Sequence, residues 1–178
     1  LSSDLVFNAI DAWPLSELAQ SRQDFAYLEI WPHRPRYQDL RTMLEQARRA
    51  VHNAPMVVAQ YIPAEREENL RLADALMAAC GGTRIELGED ERLLTDPYFP
   101  DSTPAPAPIR AILRRHLDFV VRYGELIGPS AKEAAAPRVT GPSGVWVFPR
   151  SSPGWVVCVL VNLAGLEEAR WDEPHSAP

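Results

Sequence analysis

Cysteine is almost missing from this chain: Cys80 and Cys158 are the two in 178 residues. They form neither a metal motif nor a disulfide framework, and both read as buried apolar thiols. Basic charge is in deficit, with 18 Lys and Arg against 24 Asp and Glu and a net charge of −6. That balance argues against a nucleic-acid backbone as partner. No apolar run approaches the roughly 18 residues that a membrane span needs. No signal peptide opens the chain, which starts at Leu1 without methionine and almost directly in a strand. The expectation is a chain that begins inside a longer protein, so localisation is not readable from this end.

What remains is 46% hydrophobic, enough for a real core and not the composition of a disordered chain. The length suits one ordinary domain or parts of two. Leu5-Val-Phe-Asn8 reads as a buried strand leading into a polar loop with Asp11. Pro14 opens a weak helix over Leu15, Leu18 and Ala19. Phe25 to Ile30 is a second strand, and two prolines make Trp31 to Arg36 a loop. A helix over 37–52 places Leu40, Met43, Leu44, Ala47 and Val51 on one face, with Arg41, Glu45 and Arg49 opposite. Met56 to Ile62 has the continuous apolar character of a strand covered on both faces. The next helix, over 64–80, carries Glu65, Glu67 and Glu68 in its first turn, where the helix dipole favours acids. Gly81-Gly82 stops it. Thr83 to Leu87 is a fourth strand, 88–108 a long loop, and 109–127 the longest helix. Its apolar side reads as Ile112, Leu113, His116, Phe119, Val120 and Tyr123.

Strand and helix alternate four times, the pattern of a parallel α/β architecture. After Pro137 the pattern changes. Val145 to Phe148 and Trp155 to Asn162 are β-rich and separated by Pro149-Arg-Ser-Ser-Pro-Gly154, a hairpin signal.

One position within FAYLEIW, residues 25–31, stands out. Glu29 is a carboxylate set in an apolar, aromatic run, where an ionised group loses several kcal/mol of hydration unless it is compensated. Two readings are open from the residues alone. Glu29 is the solvent-facing position of a half-buried strand, or it is a catalytic acid at the C-terminal end of a barrel strand.

Six motifs bear on that choice: FNAID at 7–11, YLEIW at 27–31, VVAQYI at 57–62, GGTRIELGE at 81–89, LLTDPYFP at 93–100 and LDFVVRYGELI at 117–127. In this order and spacing the chain resembles glycoside hydrolase family 66, the endo-dextranases and cycloisomaltooligosaccharide glucanotransferases, over about residues 5–165. The resemblance implies that the four strands are strands five to eight of a (β/α)8 TIM barrel, residues 1–137. It also implies that 138–178 is the start of an antiparallel β-sandwich domain. Glu29 then matches the family's general acid/base at the end of strand six. The nucleophile, an aspartate ending strand four, falls before Leu1, so no residue here is assigned to it. The implied reaction is retaining cleavage of α-1,6-glucan (dextran) by two carboxylates about 5–5.5 Å apart. The donor must carry a proton when it meets substrate, and apolar surroundings such as Tyr27, Leu28, Ile30 and Trp31 favour the uncharged form of a carboxyl.

Trp31 is a candidate to stack on a glucosyl ring. Asn8, Gln60 and Tyr61, near strand ends, are candidates for sugar hydroxyls. Glu86, beside the last strand, is a further substrate-binding candidate, with Glu89 close by. Each has an equally ordinary structural role open to it, and His33 reads as a surface loop residue. Neither metal nor cofactor is called for. The departures are YGELI at 123–127 where family members read closer to YENLL, and a Pro-rich end. Only Pro63 and a few residues follow Ile62 before the next helix, leaving no room for the carbohydrate-binding module that many cyclising members insert there. That favours the hydrolase over the cyclising transferase. The rival reading is a non-catalytic glucan-binding fragment or pseudoenzyme. The resemblance also implies a secreted or cell-surface protein.

Overall fold

The computed structural model describes residues 6–21, 23–52, 54–85, 88–95, 101–138, 140, 143–166 and 168–176. Its centre is a four-stranded parallel sheet in the order β1 (Asn8–Ile10), β2 (Ala26–Ile30), β3 (Met56–Gln60), β4 (Gly82–Arg84). The crossovers are α1 (Leu15–Leu18), α2 (Tyr37–Ala50) and α3 (Glu67–Ala79), as parallel pairing requires. The chain is therefore an α/β protein with a parallel sheet. The stripe expected on α2 is buried in full, from Leu40 through Val51.

The register fixes which side chains share a face. Leu28 pairs with Val58, Glu29 with Ala59 and Ile30 with Gln60, while Asn8 pairs with Tyr27 and Ile10 with Glu29. Paired residues point the same way and neighbours alternate. One face thus carries Asn8, Ile10, Tyr27, Glu29, Val57 and Ala59. The other carries Ala9, Leu28, Ile30, Val58, Gln60 and Arg84, and packs on the helices. Arg84 confirms the assignment, because its guanidinium meets Asp74 on α3 at 2.6 Å with both side chains buried.

Several boundaries differ from expectation. The first strand is Asn8–Ile10, set by its pairing with β2; Val6 and Phe7 precede it and are exposed, and Leu5 lies outside the described residues. β3 stops at Gln60, and a turn in which the Arg66 N–H donates to the Pro63 carbonyl delays α3 to Glu67. The loop expected over 88–108 contains an antiparallel ladder, β5 (Arg92–Leu94) with β6 (Ser102–Pro104). Its closure is local: Gly88 N–H donates to the Arg92 carbonyl, and Arg92 reaches Ser102 at 2.9 Å.

The longest helix, α4 (Ala107–Ile127), follows Pro106 and has Pro108 in its first turn, where a missing N–H costs nothing. Ile112 and Leu113 are buried as expected, but Phe119 and Tyr123 are exposed and rest against each other, ring centroids 5.0 Å apart. The β-rich end forms an antiparallel sheet of β7 (Lys132–Glu133), β8 (Val145–Ser152) and β9 (Trp155–Asn162). The turn is Pro153-Gly154, tighter than expected, with Gly154 at φ 80°, a conformation glycine adopts without strain. Cys158 is exposed on β9, contrary to expectation, whereas Cys80 is buried and burial pushes its thiol up to about 12.

Two features join this sheet to the α/β layer. Phe148, Val161, Leu163 and Trp171 belong to the same apolar cluster as Leu28, Leu44 and Leu76. Two buried arginines sit at helix C-termini, where exposed carbonyls carry partial negative charge. Arg48 donates to the carbonyls of Cys80, Gly128 and Ala131, and Arg150 donates to that of Ala79 at 2.5 Å.

Finally, residues 168–175 return across the starts of α2 and α3. Trp171, 1% exposed, donates from its indole N–H to the Arg34 carbonyl and from its backbone N–H to that of Pro35. Asn69 donates to the carbonyls of Trp171 and Glu173, and the Tyr37 hydroxyl meets His175 Nε2 at 2.8 Å. Helix starts follow strand ends in this topology, so the strap lies on the rim where β2 delivers Glu29 and backs the 31–36 loop.

Candidate active site

Glu29 is the fourth of the five residues in β2 and is 8% exposed. It is not the solvent-facing position of a half-buried strand. A buried carboxylate needs hydrogen-bond partners, and both oxygens have one. The Asn8 side-chain amide donates to Oε2 at 2.8 Å, and the Tyr61 hydroxyl bonds Oε1 at 2.9 Å. Each partner follows from the register. Asn8 sits on the neighbouring strand one alternation before Ile10, and Tyr61 lies two residues beyond Ala59, so both share Glu29's face. Among the described residues no Arg, Lys or His forms an ion pair with Glu29. Tyr27, on the same face, has its phenol pushed up by burial and then by the negative charge of Glu29, and so stays a neutral hydroxyl.

Behind the carboxyl, the backbone is tied by Asp11. Its N–H donates to the Glu29 carbonyl at 2.9 Å, and its Oδ1 accepts the Trp31 N–H at 2.9 Å. Its Oδ2 meets His33 Nε2. Asp11 and the following Ala12 both adopt positive φ, 47° and 64°, which is uncommon for non-glycine residues and clusters at functional sites. The residue order places Asp11 and His33 only in loops. The single signal for their pairing is that each follows a strand end, and nothing in the residue order joins them.

The other expected residues divide. Asn8 and Tyr61 meet at Glu29, and Trp31 is held next to it through Asp11. Gln60 does not join them: it pairs with Ile30, lies on the helix-facing side and is 3% exposed. Neither atom of its amide has a hydrogen-bond partner among the described residues. Glu86 lies outside the described residues, as does the side chain of Glu89.

The family model described as glycosyl hydrolase family 66 matches residues 1–178. A cycloisomaltooligosaccharide glucanotransferase of Niallia circulans is 30% identical over 126 residues, which cover 63% of this chain and 13% of that protein. A second from the same organism is 29% identical over the same length. In fold, the chain matches a solved Paenibacillus sp. cycloisomaltooligosaccharide glucanotransferase complexed with cycloisomaltoheptaose. The TM-score is 0.82 at 16% identity, covering 98% of this chain and 46% of that one. The chain thus spans under half of the solved relative and about an eighth of the curated ones.

Proposed function

The chain belongs to glycosyl hydrolase family 66, and from that membership we propose that Glu29 is the general acid/base of a retaining site that cleaves α-1,6-glucan. The observation that carries the proposal is a carboxyl 8% exposed at the end of a parallel strand, held on both oxygens by uncharged groups. An ion-paired carboxylate would have to break that pair to take up a proton. Among the described residues, Glu29 has none to break.

In this reading the four parallel strands are strands five to eight of a (β/α)8 barrel, and the antiparallel sheet begins a β-sandwich. The C-terminal strand ends of such a barrel form its active face. Glu29 first protonates the leaving glycosidic oxygen, then takes a proton from the water that releases the glycosyl-enzyme. No residue of this chain is assigned as the nucleophile. Trp31 offers an indole to a flat sugar face, and Asp11 fixes the backbone from which it projects. Secretion or display at the cell surface accords with a polymeric substrate.

Hydrolysis is the favoured outcome, because β3 and α3 are joined by residues 61–66 alone, too few for an inserted sugar-binding module. Cyclising transfer is the second reading, supported by the name of both curated relatives. The test is Glu29→Gln in a protein that contains this segment within a complete barrel. Turnover of dextran is expected to fall about 10²- to 10⁴-fold with glucan binding retained. Turnover within a few-fold of the unsubstituted protein would rule out this role for Glu29.

A further inference from the structure

The two oxygens of Glu29 are not equivalent. Oε2 faces the Asn8 amide at 2.8 Å, and Oε1 faces the Tyr61 hydroxyl at 2.9 Å. An amide NH2 donates and cannot accept, so the oxygen it bonds must accept in every state of the carboxyl, which favours keeping it the carbonyl oxygen, a better acceptor than the oxygen of an O–H. A phenolic hydroxyl does either: it donates to a carboxylate and accepts from a carboxylic acid. We propose that Asn8 and Tyr61 together confine the acid proton of Glu29 to Oε1, with Tyr61 reversing its hydrogen bond each time the proton leaves or returns. Asn8 and Tyr61 are then positioning residues for the acid, not sugar ligands. The proton crosses from Oε1 to the glycosidic oxygen, the Tyr61 O–H turns to donate to the new carboxylate, and the proton taken from water restores the first arrangement.

Among the described residues, the titratable groups about Glu29 are Tyr27 on its own strand, Tyr61 beyond β3, and Asp11 with His33 in the loops after β1 and β2. Asp11 and His33 are paired to each other. Among the described residues no cation reaches either oxygen to compete for the lone pairs.

The inference rests on Glu29 being the acid/base, but its principal test needs neither substrate nor turnover. Glu29→Gln replaces the acid by a group with one acceptor oxygen and one NH2, a fixed copy of the protonated state. In ¹⁵N-labelled protein at neutral pH, the introduced NH2 is expected to give NOEs to the Tyr61 ring. The Asn8 amide is expected to keep its contact to the side-chain oxygen at position 29. NOEs from the introduced NH2 to Asn8 instead, or to neither residue, would overturn the proposal. A second measurement uses Tyr61→Phe in a protein holding the whole barrel. It is expected to lower kcat about tenfold, one hydrogen bond's worth, with KM unchanged. A rise in KM alone would make Tyr61 a sugar ligand and refute the positioning role. Loss of dextran turnover is scored separately under Glu29→Gln, so either idea can fail without the other.

Discussion

Two acids are buried on opposite faces of one sheet, and they are handled differently. Asp74, on α3, is 1% exposed and meets the Arg84 guanidinium at 2.6 and 3.3 Å. Glu29, on β2, is 8% exposed and meets an amide and a phenol. The first carboxylate is neutralised by a full charge. Such a pair is hard to open, because removing either partner strands the other in a poorly hydrated place. The second is hydrogen-bonded without being neutralised, so a proton can come and go without breaking an ion pair. Burial alone therefore does not say whether a carboxyl can exchange its proton. The character of its partners does.

The contrast is sharpest in Arg84→Met, which leaves Asp74 buried and unpaired. It is expected to cost about 3–5 kcal/mol in urea unfolding, whereas the double variant Asp74→Leu/Arg84→Met should recover most of that loss. Additive costs in the double variant would mean that the pair is not the source. Glu29→Gln should fall well below Arg84→Met in the same assay, within about 1 kcal/mol, because the amide can satisfy both Asn8 and Tyr61. An unfolding cost equal to that of Arg84→Met would erase the distinction between the two acids.

A pH dependence follows on the ion-paired side. His116 on α4 is held below its usual value mainly by burial, while Asp74 opposes and Arg84 adds to that effect. The unfolded chain therefore binds a proton that the folded chain refuses. Stability should be full above about pH 6.5 and decline as pH falls below it, and His116→Gln should flatten that slope in denaturant titrations across pH 7 to 5. The smallest effect concerns the exposed counterpart. Arg71 and Glu67 also lie 2.6 Å apart, but each is about two-fifths exposed. Arg71→Ala should cost only about 0.3–0.5 kcal/mol, and a cost near that of Arg84→Met would show that distance, not burial, governs these pairs.

Much of this architecture is legible in the residue order. The 3.6-residue spacing of Leu40, Met43, Leu44 and Ala47 places α2 correctly, because an amphipathic helix has one way to bury that stripe. Glu29 stands out as a carboxylate inside FAYLEIW, but the residue order leaves it either a solvent-facing strand position or a catalytic acid; the pairing that buries it decides against the first. The residue order is silent elsewhere for identifiable reasons. Met56-Val-Val-Ala-Gln60 is apolar at successive positions, so it carries no alternation to show that Gln60 faces away from Glu29. The β5 and β6 strands are three residues each, too short for a periodic signal. Phe119 and Tyr123 follow the helical spacing of a core stripe yet remain exposed, because that spacing says which side a residue occupies and not whether anything covers it. The Asp11–His33 contact joins two loops through the strand order alone.

The strap at residues 168–175 has a practical consequence for engineering. Its tryptophan forms the wall behind the Trp31–Arg36 segment, so the β-rich end is not a cassette that can be swapped at the hairpin. A chimera carrying another protein's module needs an equivalent indole and two backbone contacts at Arg34 and Pro35. Without them the graft would loosen a loop many residues upstream, beside the very carboxyl it was meant to leave alone.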